Sequence, residues 1–239
     1  MRKKLLAPAL IVALTGVLGL TACGQQSEKR PLTVFAAASL HTSFKEIEKD
    51  VEKLHPDLDV VVSFDGSQNL VDQIAAGAPA DVLATADRRS MERAQEKLSV
   101  SASPFATNSL VLITAPDNPH GISAVDQRLN EVKTVVCAEQ VPCGATTKKV
   151  LSQFEWQLRP VSEEQKVTDV VGKVRSGQAD AGIVYRTDAG SFHAVDIPGA
   201  EQVRSDYMIA NLTGDNPFTE YLLSDAGKAR LQEFGFGAP

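Results

Sequence analysis

Ser39 and Ser67 occupy matching positions: each closes a short β-rich stretch and opens a segment with helical spacing. Phe35-Ala36-Ala37-Ala38-Ser39-Leu40 runs out of a strand pattern into small residues, and Asp65-Gly66-Ser67 does the same after Asp59 to Phe64. The first turn of a helix carries N–H groups without intrahelical acceptors and a partial positive charge. A serine at such a turn adds an O–H, so each turn can hold a small anion without a lysine or arginine. Taken singly, a serine at a helix start is an N-cap contributing about 1 kcal/mol. Two of them at equivalent turns point to binding of an anion.

Catalysis has little to stand on. The four histidines, His41, His55, His120 and His193, lie in expected loops or on polar helix positions, and none accompanies a Gly-x-Ser-x-Gly elbow. Neither a phosphate-binding Walker pattern nor a dinucleotide fingerprint occurs. Of the three cysteines, Cys137 and Cys143 stand six positions apart with no histidine or further cysteine at zinc-ligand spacing. In an exported chain a disulfide between them is expected. The competing reading, a thiol-redox pair, has a spacing wider than Cys-x-x-Cys.

The elements that must position these groups alternate from Leu32 onward. Leu32 to Ala36 reads as a strand. Thr42 to Leu54 places Phe44, Ile47, Val51 and Leu54 at helical spacing. Asp59 to Phe64 is a second strand, Gln68 to Ala76 a helix stopped by Gly77-Ala78-Pro79, and Asp81 to Ala84 a third strand. Such βα units imply a parallel sheet with right-handed crossovers. Further on, Leu110 to Ala115 and Thr134 to Ala138 read as strands, and Pro142 to Phe154 as a turn entering a helix. Val167 to Gly177 reads as a helix, Ala181 to Tyr185 as a strand ending in a tyrosine, and Phe218 to Phe234 as a final helix or helix pair. Asp81 and Asp87 are expected to brace or cap loops, since carboxylates at the site would repel an anion.

The chain opens with Arg2, Lys3 and Lys4, then an apolar run from Leu5 to Leu20, shorter than a membrane-spanning helix needs. With Thr21-Ala22-Cys23 behind it, this is a targeting segment. Leu20-Thr21-Ala22-Cys23 resembles the bacterial lipobox, which implies removal of residues 1–22, lipid modification of Cys23, a tether over 23–30 and attachment to the extracytoplasmic face of a cell membrane. Loss of the three leader cations leaves 21 Lys and Arg against 30 Asp and Glu, a charge of −9. Nucleic acid and anionic lipid are poor partners for such a surface. The remaining residues, about 210, exceed one small core and suit an α/β protein of two lobes.

A wider pattern joins these pieces. The Phe35 to Leu40 turn, Gly66-Ser67 leading into Ile74-Ala75-Ala76-Gly77-Ala78-Pro79-Ala80-Asp81-Val82, Val141-Pro142-Cys143-Gly144, and Gly182-Ile183-Val184-Tyr185 occur in this order. Together they resemble the molybdate-binding proteins of bacterial ABC importers, from about Leu32 to Phe236. The resemblance implies a two-lobed periplasmic-binding fold of type II, with 31–112 opening lobe I, 113–206 forming lobe II and 207–239 returning to lobe I. It implies an oxyanion held in the cleft by the hydroxyls of Ser39, Ser67 and Tyr185 and the backbone N–H groups of Cys143 and Val167. It further implies a monomer without enzymatic activity, cofactor or directly ligated metal, delivering molybdate or tungstate to a permease and its ATPase. Met208, where proline is common, and the short connection from Leu212 to Pro217 depart from the pattern near the return to lobe I.

The donor set itself favours such an anion. Molybdate at neutral pH is a fully deprotonated dianion, whereas monohydrogen phosphate carries a proton that needs an acceptor. Sulfate is also proton-free and differs only in the cavity size it needs, so a carrier for another small solute, such as sulfate or a chelated metal, is the alternative.

Overall fold

The computed structural model describes residues 29–239; the leader, Cys23 and nearly all of the tether lie outside the described residues. The protein is α/β, built on two mixed five-stranded sheets. The first has the order β2-β1-β3-β10-β4, from β1 (Arg30–Ala37), β2 (Leu58–Asp65), β3 (Val82–Thr85), β4 (Ala102–Asn108) and β10 (Ser205–Asn211). The second has the order β7-β6-β8-β5-β9, from β5 (Leu110–Thr114), β6 (Thr134–Cys137), β7 (Ser162–Glu164), β8 (Ala181–Tyr185) and β9 (His193–Asp196). Each sheet supplies one lobe of a type II binding fold.

In lobe I, β1 pairs in parallel with β2 and β3, as βα crossovers require. The strands added beside them do not follow that rule: β10 is antiparallel to both β3 and β4. In lobe II, β6 is parallel to β7 and β8, while β5 is antiparallel to β8 and β9. The chain passes between the lobes at Ser109, between β4 and β5, and returns through Arg204 into β10. The expected boundary after residue 112 falls inside β5, and the expected return at 207 falls inside β10. An apolar run identifies a buried strand but carries no mark of which sheet it joins.

The helices are α1 (His41–Leu54), α2 (Ser67–Ala75), α3 (Arg88–Leu98), α4 (Pro142–Leu151), α5 (Val167–Arg175), α6 (Pro217–Leu223) and α7 (Asp225–Glu233). α1 buries Phe44, Ile47 and Val51 and ends just before Pro56, whose ring disfavours helix in the residue preceding it. Phe44 packs against Phe105 and Phe218, with ring centroids at 6.0 and 5.2 Å, which fastens α1 to β4 and α6. Burying one such side chain contributes about 1.5–3 kcal/mol. The C-terminal segment runs back along β4, where Thr107 and Gly237 exchange backbone hydrogen bonds of 2.9 Å. Among the described residues no helix is long and apolar enough to cross a membrane.

Candidate functional site

Parallel strands deliver their carboxyl ends to the cleft, the place where open α/β sheets hold ligands. β1 ends just before Ser39, β2 before Gly66-Ser67, β3 before Ala86, β6 before the turn into α4, and β8 at Tyr185 itself. The structure brings all five expected site residues, Ser39, Ser67, Cys143, Val167 and Tyr185, to the wall of one cavity of about 20 Å³. That space suits one compact group, since a single water needs about 10–15 Å³.

Neither serine acts as an N-cap. Ser39 sits within a 3₁₀ turn, Ala38–Leu40, and its Oγ lies 2.8 Å from the Tyr207 hydroxyl. Ser67 is the first residue of α2, behind the N-cap Gly66, and its Oγ accepts a 3.0 Å hydrogen bond from the Ala86 N–H. With its oxygen engaged as an acceptor, the Ser67 O–H is free to point at a ligand. Cys143 and Val167 lie in the first turns of α4 and α5, where N–H groups have no intrahelical acceptor. α2, α4 and α5 thus present three helix N-termini to one space, and their partial charges sum on whatever occupies it.

Tyr185 ends β8 fully buried, its hydroxyl 3.3 Å from Ser205 Oγ, which in turn lies 2.8 Å from Thr146 Oγ1. Burial, with smaller contributions from the Asp87 and Asp188 charges, pushes the Tyr185 phenol far above its ordinary range. It therefore stays protonated and remains a donor at any physiological pH. No aspartate or glutamate lines the cavity; Lys166, the N-cap of α5, and Gln165 do. Asp87 instead accepts from the Ser90 N–H as the N-cap of α3, and Asp81 accepts from the Thr33 N–H and the Thr213 hydroxyl. Both acids are braces, as expected.

Two glycines allow the close approaches. A Cβ on Gly144 would stand 1.9 Å from the Ala138 carbonyl oxygen, so only glycine lets the first turn of α4 lie against the end of β6. A Cβ on Gly66 would stand 2.6 Å from the Gln165 carbonyl oxygen, on the opposite lobe. The lobes are shut on each other at this rim: Gln68 Nε2 donates to Gln165 O at 3.3 Å, and Arg89 donates to Gln140 O at 2.8 Å.

Cys137 and Cys143 are joined in a disulfide with a Cα–Cα separation of 5.7 Å, which ties the end of β6 to the first turn of α4. Both residues are buried, leaving no exposed sulfur for the redox reading. Of the histidines, His193 stands on β9 instead of in a loop, and His41 packs on Phe64 at the start of α1. A larger depression of about 320 Å³ beside the disulfide, bordered by Lys148 and Trp156, is open to solvent and lacks the convergent donors. Among the described residues no group of three or more His, Cys, Asp or Glu is placed to hold a metal ion. Lys166, Asn108, Ser205, Thr146 and the role of Tyr207 are not marked in the sequence, because no local pattern shows which side chains back or line a site formed between two lobes.

Residues 32–237 match the family model of the bacterial extracellular solute-binding proteins. The chain belongs to that family. This solute-binding protein is 37% identical to the molybdate-binding protein ModA of Mycobacterium tuberculosis, with 93% of this chain and 94% of the relative covered. It is 27% identical to a putative ABC transporter substrate-binding lipoprotein, YvgL, of Bacillus subtilis, over 95% of this chain and 96% of that one. Among solved structures, the periplasmic molybdate-binding protein of Azotobacter vinelandii superposes with a TM-score of 0.74 at 21% identity, covering 87% of this chain and 99% of that one. That match shows the fold, and the family places the binding protein among extracytoplasmic carriers of solutes.

Proposed function

We propose that this solute-binding protein captures molybdate, and tungstate by the same chemistry, and hands it to a membrane permease driven by an ATPase. The observation that carries the reading is the small cavity between the lobes, walled by three helix N-termini and three hydroxyls with no acidic side chain among them. A site composed of donors suits a dianion that carries no proton and disfavours monohydrogen phosphate. Ser39, Ser67 and Tyr185 donate hydroxyl hydrogens, and Cys143 and Val167 donate backbone N–H groups. The metal enters as an oxyanion, without a protein atom in its coordination shell, and neither a cofactor nor a chemical step is needed. Closure of the lobes around the anion is the signal for the permease. Cys23 carries the lipid that holds the monomeric carrier on the extracytoplasmic face of the membrane, a reading supported by the similarity to a lipoprotein relative.

The test is a thermal-shift series with molybdate, tungstate, sulfate and phosphate. A ligand at one hundred times its dissociation constant stabilises the folded form by about 2.7 kcal/mol. For a chain of this size that raises the melting temperature by about 5–10 °C. Shifts of that order are expected for the first two anions only. An equal shift with sulfate would transfer the assignment to the broader class of proton-free tetrahedral dianions.

A further inference from the structure

Behind Ser39 the hydrogen bonds have a direction. The Ser109 N–H donates to Asn108 Oδ1 at 3.0 Å, which fixes the Asn108 side chain with its NH₂ turned the other way. That NH₂ donates to Thr187 Oγ1 at 2.8 Å and to the Tyr207 hydroxyl oxygen at 3.4 Å. Tyr207 is fully buried, and the only other partner of its hydroxyl among the described residues is Ser39 Oγ, at 2.8 Å. Its proton must therefore go to Ser39, because the alternative leaves a buried O–H without an acceptor. Burial raises the Tyr207 phenol well above its ordinary range, so that proton is always present.

We propose that Tyr207 and Asn108 are positioning residues: they hold the Ser39 hydroxyl as a donor into the cavity and thereby select oxyanions that carry no proton. The proposal rests on the oxyanion reading above and adds two residues outside the cavity wall to it. With the Ser39 oxygen engaged by Tyr207, its own hydrogen has no acceptor among the described residues and takes one from the ligand. A protonated ligand oxygen at that point would set hydrogen against hydrogen. The same relay ends on Thr187, in the 3₁₀ turn Arg186–Asp188 that follows β8, so the serine of lobe I is wired across the hinge to the turn after Tyr185.

The test is a double-mutant cycle read by calorimetric titration at pH 7 with molybdate and with phosphate: wild type, Tyr207→Phe, Ser39→Ala and the pair. Phenylalanine keeps the edge contacts of Tyr207 with Phe105 and Phe236 and removes only the hydroxyl. Tyr207→Phe is expected to weaken molybdate binding by about 2- to 10-fold, the range for one hydrogen bond. It should narrow the molybdate-to-phosphate ratio and have no effect when Ser39 is already alanine. Equal losses in both backgrounds, or an unchanged ratio, would overturn the relay. Should Tyr207→Phe not fold, Asn108→Ala goes through the same cycle under the same criterion. Failure of the wild type to bind molybdate would overturn the ligand reading and the relay with it; wild-type binding with additive losses overturns the relay alone.

Discussion

Gly66→Ala tests lobe closure at the rim of the cavity that Gly66 helps to line. The added methyl would stand 2.6 Å from the Gln165 carbonyl oxygen, against about 3.4 Å for ordinary contact, so the rim must part by about 0.8 Å. The nearby Gln68 amide, at 2.7 Å, is the end of a flexible side chain and can swing aside; the Gln165 backbone cannot. Overpacking of this kind costs about 1–3 kcal/mol. The cost falls on the shut form alone, since Gln165 belongs to the other lobe, and a smaller closed population lowers apparent affinity in proportion. The expected result in calorimetric titration is a dissociation constant for molybdate raised about 5- to 150-fold. Gly66 itself is the N-cap of α2 at φ −60° and ψ 137°, a conformation alanine adopts. The ligand-free melting temperature should therefore fall by only about 2–4 °C, the equivalent of about 1 kcal/mol of capping. An affinity within twofold of wild type would refute the idea that the rim must shut at Gly66 to hold the anion. A ligand-free melting temperature that collapses would show the methyl to be felt by the whole fold.

Two other perturbations separate stability from binding. Replacing Cys137 and Cys143 together by serine opens a short loop and should cost about 2 kcal/mol, or about 4–8 °C of melting temperature; molybdate affinity should change less than tenfold, because α4 still offers the backbone N–H at position 143. Asp188 is only half-buried as a residue, yet its Oδ2 is sealed from solvent without a hydrogen-bond partner, and burial holds its carboxyl well above the usual range. The folded state therefore binds this proton more tightly than the unfolded chain, whose carboxyl has a pKa of about 3.9. Stability from this group is full below that value and is lost as pH rises toward the folded pKa. Asp188→Asn is expected to raise the melting temperature at pH 8 and leave it nearly unchanged at pH 4; a lower melting temperature at pH 8 would contradict the assignment.

Much of the site was legible because each donor sits where one element gives way to another. Strand ends at Ala37, Asp65 and Tyr185 and helix starts at Ser67, Pro142 and Val167 are marked by small residues, Gly-Ser, Val-Pro and a change of hydrophobic period. The helix of residues 88–98 has no apolar stripe to mark it, because Arg88–Leu98 is polar almost throughout and buries only Ser90, Met91 and Ala94. β4 carries Pro104, which is tolerated there because β4 is an edge strand. The antiparallel insertion of β10 between β3 and β4 is set by tertiary pairing, which no local pattern encodes. For the same reason the relay from Asn108 through Tyr207 to Ser39 was invisible: its members are separated by 99 and 168 positions along the chain.

The central claim is an oxyanion in the donor cage, and anomalous diffraction from crystals grown with molybdate, recorded across the molybdenum absorption edge, tests it most directly. One anomalous peak is predicted inside the cavity, its ligand oxygens within hydrogen-bond reach of Ser39 Oγ, Ser67 Oγ, Tyr185 Oη and the N–H groups of Cys143 and Val167. A cavity without anomalous signal, or a peak seated elsewhere on the protein, would contradict it.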